Sequence, residues 1–86
     1  MAAYRLRFKR SIAKDLRAIP KKDLGRILKR MESLSVDPRP PGCEKLSGDD
    51  RYRIRQGIYR IIYAVIDAET CVVVIKVAHR RDAYQK

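Results

Sequence analysis

The chain has 86 residues, 45% of them apolar, which suits one small domain burying only about 60–65% of its unfolded surface. Twenty-one Lys and Arg against ten Asp and Glu give a net charge of +11 and a predicted isoelectric point near 10.2, which points to a polyanion, an acidic membrane or an acidic protein as partner. No apolar run approaches the ~18 residues of a membrane span, MAAYRLRFKR lacks the apolar centre of a secretory signal, and Cys43, Cys71 and the single His79 are too few and too scattered for a metal site or a disulfide scaffold.

These features predict a soluble, cytoplasmic protein without metal or cofactor, with Cys71 as a small core residue and Cys43 as a loop thiol. In chain order, YRLRFK (4–9) alternates strictly, with Tyr4, Leu6 and Phe8 on one side and Arg5, Arg7 and Lys9 on the other. That pattern predicts a half-buried strand. Ser11 is placed to N-cap a short helix whose apolar residues Ile12, Leu16 and Ile19 share one face. Pro20 closes it, because proline disfavours helical geometry in the residue before it, and proline suits the first turn of the next helix. That helix carries Leu24, Ile27, Leu28, Met31 and Leu34 as a stripe. Asp23 complements the dipole in its first turn, and Arg26, Lys29 and Arg30 lie outside the stripe. Residues 11 to 36 therefore predict a helical hairpin.

DPRPPG (37–42) breaks the chain. CEKLSGDD then leads through a turn at Ser47–Asp50 into RYRIRQGIYRIIY (51–63), where Gly57 marks a bulge or tight turn. IYRIIYAVID continues as a long strand, AET turns, and CVVVIKVAHR is the last strand. The expected fold is a small single α+β domain over residues 1–86, in β-α-α-β-β-β order. A helical hairpin covers one face of a mostly antiparallel sheet and leaves the other for function.

Strand parity assigns side chains to faces. Tyr52 and Ile54 oppose Arg51, Arg53 and Arg55; Tyr59, Ile61, Tyr63 and Val65 oppose Arg60. In the last strand Cys71, Val73, Ile75, Val77 and His79 oppose Val72, Val74, Lys76, Ala78 and Arg80. With each apolar set turned to the helices, Arg53, Arg55, Arg60, Lys76 and Arg80 converge on the far face, with no carboxylates among them. Guanidinium forks match phosphate oxygens, so the set suits a nucleic-acid backbone. HRRDAY adds His79, Arg80, Arg81 and Tyr84 after the strand. A histidine titrates near neutrality and a tyrosine moves a proton or stacks on a base, although parity turns His79 toward the helices.

EKLSGDDRYRIRQGIYRIIYAVIDAETCVVVIKVAHRRDAY, preceded by YRLRFKRSIAKDLRAI and LSVDPRPPG, resembles RelE-type toxins of bacterial and archaeal toxin–antitoxin systems along essentially the whole chain. The resemblance implies a ribosome-dependent endoribonuclease that enters the A site and cuts the mRNA codon there. In that chemistry the ribose 2′-OH attacks the adjacent phosphate and leaves a 2′,3′-cyclic phosphate and a 5′-OH. Arg53 and Arg55 match the family's two basic strand residues, Arg60 the arginine of its YR, Arg80 the arginine after the last strand, and Tyr84 its C-terminal tyrosine. These five are the implied catalytic set, with Arg51, Lys76, His79 and Arg81 as RNA-binding residues.

The best-known members carry lysines where this chain has Arg53 and Arg55. A guanidinium does not deprotonate in proteins, so both are assigned to phosphate binding and charge stabilisation. The general base is left among Tyr84, an inward-turned His79 and ribosomal RNA. The resemblance further implies an acidic RelB-like antitoxin, contact with mRNA and the ribosomal A site, and contact with operator DNA only through the antitoxin complex. It implies no membrane partner and no cofactor. The same fold includes ParE-like toxins, which poison DNA gyrase without cutting RNA, and a non-catalytic RNA-binding module is a third reading.

Overall fold

Alternation and helical stripes translate directly into two layers in a computed structural model that describes residues 4–46 and 50–81. The elements are β1 (Arg5–Phe8), α1 (Ile12–Arg17), α2 (Lys21–Val36), β2 (Glu44–Lys45), β3 (Arg51–Gln56), β4 (Tyr59–Ile66), a 3-10 turn (Asp67–Glu69) and β5 (Cys71–His79). The sheet order is β1-β5-β4-β3-β2, with β1 parallel to β5 and every other pair antiparallel. The fold is therefore a small α+β domain with two helices on a mixed five-stranded sheet. Among the described residues no helix is long and apolar enough to cross a membrane.

Proline separates the helices as expected, but Pro20 stands at the N-cap of α2 and not inside its first turn. Its carbonyl accepts from the N–H groups of Asp23 and Leu24. Ser11 occupies the N-cap of α1 without a side-chain capping bond. From α2, Ile27, Met31 and Leu34 meet Ile54, Ile61, Tyr63, Val65, Val72 and Val74 of the sheet, and Ile12 and Ile19 close the α1 end. Tyr63 is fully buried, stacks on Tyr52 at 5.8 Å and donates its hydroxyl to the Pro38 carbonyl (2.7 Å). This bond fastens the proline-rich break to the core. Burial pushes the Tyr63 phenol well above its ordinary pKa.

Gly57 turns the β3–β4 hairpin at a φ of 61° and leaves Gln56 opposite Tyr59, so the parity of both strands survives. In β5 the parity set predicted from the sequence does not survive. Ile62 faces Lys76 while Tyr63 faces Val74, so Ile75 is an extra residue in a β-bulge. The bulge divides β5: Val72 and Val74 face the helices before it, and Val77 and His79 after it. Cys71 and Val73 consequently lie on the face away from the helices. Cys71 is buried, at 4% exposure, yet it sits opposite Arg5 and outside the helix-facing core.

β1 ends at Phe8, opposite Val74, and leaves the rest of β5 without a neighbouring strand on that side. There the Val77 N–H donates to Asp15 Oδ2 of α1 at 3.1 Å. A buried edge donor is satisfied and a six-residue helix is anchored by the same bond.

A candidate nucleic-acid interface on the open sheet face

Residues that pair across neighbouring strands point to the same side, so the register lays out the uncovered face in rows. One row runs Lys76–Ile62–Arg53–Glu44, the next Ala78–Arg60–Arg55, and on the other side Arg7–Val73–Ala64–Arg51. Arg5 stands opposite Cys71 beside the last row. Half-buried Ile62, Ala64 and Val73 form an apolar middle between cations on both flanks.

Arg53, Arg55, Arg60 and Lys76 are thus brought to one surface. Arg55 and Arg60 are direct cross-strand partners, an arrangement in which like charges repel. Arg60 is nevertheless 5% exposed, while Arg55 is exposed. Concentrated positive charge held on rigid strand centres is costly for folding alone and is suited to an anion.

The expectation of a carboxylate-free patch is corrected by β2. That two-residue strand carries Glu44 opposite Arg53, whose Nε and Nη2 both donate to Glu44 Oε1, at 3.1 and 2.8 Å. Arg53, foremost, and then Arg55 and Arg60 hold the Glu44 carboxyl below the usual carboxylate range. Arg5 and Arg7 were likewise absent from the predicted set. With Glu69 and Cys71 they border a depression of about 330 Å³ at the β1 end of the same face. Their alternation in YRLRFK was the available signal; the parallel pairing with β5 that brings them here was not legible.

The other predicted residues are distributed. Arg80, exposed, donates its N–H to the Ile58 carbonyl (2.7 Å) at the Arg55–Arg60 end of the sheet. Arg51 is exposed at the start of β3, and Arg81 is exposed with its N–H donated to His79 Nδ1. His79 itself pairs with Tyr59 on the helix side, in an edge-on ring contact of 6.1 Å. There it borders a hollow of about 540 Å³ with Lys14, Asp15 and Ile19. It is separated by the sheet from Arg53, Arg55 and Arg60. Tyr84 lies outside the described residues. Among the described residues no group of His, Cys, Asp and Glu is assembled as a metal site.

A second polar cluster lies beside the proline-rich break. Arg39 donates to Asp67 Oδ2 (2.8 Å) and to the Tyr52 hydroxyl (2.9 Å), stands 5.2 Å from the Tyr52 ring centroid, and Tyr4 donates to Asp67 Oδ1 (2.8 Å). Arg39 and Tyr4 hold Asp67 below the usual carboxylate range. This network joins the residue before β1, the loop after α2, β3 and the turn between β4 and β5.

Residues 6–84 match the family model described as the ParE toxin of the type II toxin–antitoxin system parDE. Toxin RelG of Mycobacterium tuberculosis is 31% identical over 87 aligned positions, covering 96% of this chain and 98% of that protein. The RelBE2 toxin–antitoxin complex of the same organism superposes with a TM-score of 0.81 at 29% identity, covering 95% of this chain and 97% of the other. The archaeal RelE–RelB complex from Pyrococcus horikoshii gives 0.78 at 30% identity, with 91% and 96% covered.

Proposed function

Because the chain belongs to the RelE/ParE superfamily of type II toxin–antitoxin toxins, and is of RelE type, we propose that it is an mRNA endoribonuclease acting in the ribosomal A site. The observation that carries this reading is the uncovered face on which Arg53, Arg55 and Arg60 stand in adjacent rows with Lys76. In the proposed reaction O2′ attacks the adjacent phosphorus, the P–O5′ bond breaks, and the products are a 2′,3′-cyclic phosphate and a 5′-OH. The three arginines bind the phosphate and stabilise the charge that develops on it. One preorganised donor of this kind is worth roughly 3–4 kcal/mol in the barrier. Arg80 and Tyr84 complete the proposed catalytic set, and Arg51 and Arg81 are proposed to hold flanking RNA.

Among the described residues the site is rich in cations and has few acid–base groups, and such a site depends on outside positioning of its substrate, which supports a role for the ribosome. The net charge of +11, together with RelB partners in the related complexes, supports an acidic antitoxin as the neutralising partner. A second reading, inhibition of DNA gyrase, is favoured by the ParE description of the matching family model.

Primer extension on mRNA from cells expressing the chain separates the two. Discrete cuts that disappear in Arg80→Ala and Tyr84→Phe variants support the nuclease. Intact mRNA with inhibited supercoiling by purified gyrase replaces it with the ParE-like reading. Co-expression with the neighbouring reading frame tests the antitoxin: growth is restored if the partner is encoded there.

A further inference from the structure

We infer that Glu44 is the proton acceptor for the attacking 2′-hydroxyl, an inference that rests on the cleavage reading above. Among the described residues the open face offers few acceptors. Arginine and lysine are donors only, His79 lies across the sheet, Cys71 is closed off at 4% exposure, and Glu69 borders the depression at the β1 end. Glu44 alone among the described carboxylates pairs with a residue of the Arg53–Arg55–Arg60 group. Its side chain is 62% exposed, so a substrate can reach it.

The geometry suits the role in two further ways. Both Arg53 contacts fall on Oε1, which fixes the carboxylate against β3 while Oε2 stands outside that pair. Among the described residues the charged groups that face it are Arg53 and Arg55 from β3 and Arg60 from β4, with Lys76 of β5 in the same row. Those arginines keep it ionised at neutral pH. A phosphate seated on them brings its own ribose beside the carboxylate. Glu44 then takes the 2′-hydroxyl proton as the O2′–P bond forms. The P–O5′ bond breaks with its electron pair on O5′, which takes a proton from water, and Glu44 returns its proton to solvent.

A Glu44→Gln variant keeps the side-chain shape and one carbonyl oxygen for Arg53, but removes the basicity. The assay is single-turnover cleavage of a short mRNA on purified ribosomes with a vacant A site, alongside toxin–ribosome affinity. The expected result is a cleavage rate lower by about 10²–10⁴-fold with affinity unchanged or tighter. The wild-type rate should also fall in acid. Cleavage needs the ionised carboxylate, so activity is present above its lowered pKa and lost as pH falls through it; the Gln variant loses that acid limb. Cleavage within about threefold of wild type, or affinity weakened in proportion to rate, makes Glu44 a positioning residue for Arg53 and overturns the inference while the nuclease reading stands. Uncut mRNA with the wild-type protein overturns both.

Discussion

Replacing Asp15 with alanine should loosen the sheet at the point where β5 changes parity. The bond lost is the 3.1 Å contact from the Val77 N–H to Asp15 Oδ2. Val77 is 3% exposed, and the strand edge there has no β1 residue beside it, so the donor has no replacement within the sheet. A hydrogen bond to a charged group contributes about 1.5–3 kcal/mol. For a domain of this size each kcal/mol shifts the melting temperature by about 4–8 °C, which places the expected drop at roughly 6–24 °C. Asp15→Asn retains an acceptor oxygen and should recover most of it. Thermal unfolding followed by far-UV circular dichroism measures all three proteins. Hydrogen exchange at Val77 should accelerate in the alanine variant and much less in the asparagine variant. An alanine variant that melts within about 2 °C of wild type, with Val77 still protected, refutes the reasoning that α1 caps this edge.

Tyr63→Phe should keep the stacking on Tyr52 but strand the Pro38 carbonyl that now accepts a 2.7 Å bond. The cost should be about 1–2 kcal/mol in chemical denaturation; a neutral substitution would show that the proline-rich break is held by other contacts. Asp67 is held ionised by Arg39 and Tyr4, so its stabilising contribution is complete above the ordinary aspartate pKa of about 3.9 and fades as pH falls through the lowered folded value. Melting temperatures of wild type and Asp67→Asn should therefore differ at neutral pH and converge in acid.

Much of this architecture was legible because most of the chain obeys simple periodicities. The α2 stripe and the alternation in RYRIRQ and YRIIYAV place Ile27, Met31 and Leu34 against Ile54, Ile61 and Tyr63, and turn Arg53, Arg55 and Arg60 outward. What escaped had no periodic signal. CVVVI is apolar on both sides, so nothing in its composition marks Ile75 as the extra residue. The inward placement of Val72 and Val74 depends on pairing with β4. A two-residue strand is too short to alternate, which hid β2 and with it Glu44. Asp15 reads locally as a polar helix residue; its role at Val77 comes from a contact across 62 positions. Arg5 and Arg7 were assigned the correct side of their own strand, but the parallel pairing that adds them to the cationic face is a long-range event. Tyr84 lies outside the described residues.

The central claim is that the arginine face cuts RNA, and Arg55 gives the most direct access to it. Arg55 is exposed, so removing it leaves the core intact, whereas Arg60 is buried and is better exchanged for lysine. The measurement is the single-turnover rate of A-site mRNA cleavage on purified ribosomes for wild type, Arg55→Ala and Arg60→Lys, each confirmed folded by its melting curve. The account predicts a cyclic-phosphate-terminated product with wild type and rates lower by about 10²–10³-fold in both variants. Wild-type rates in folded variants, or no product from any of the three proteins, would contradict it.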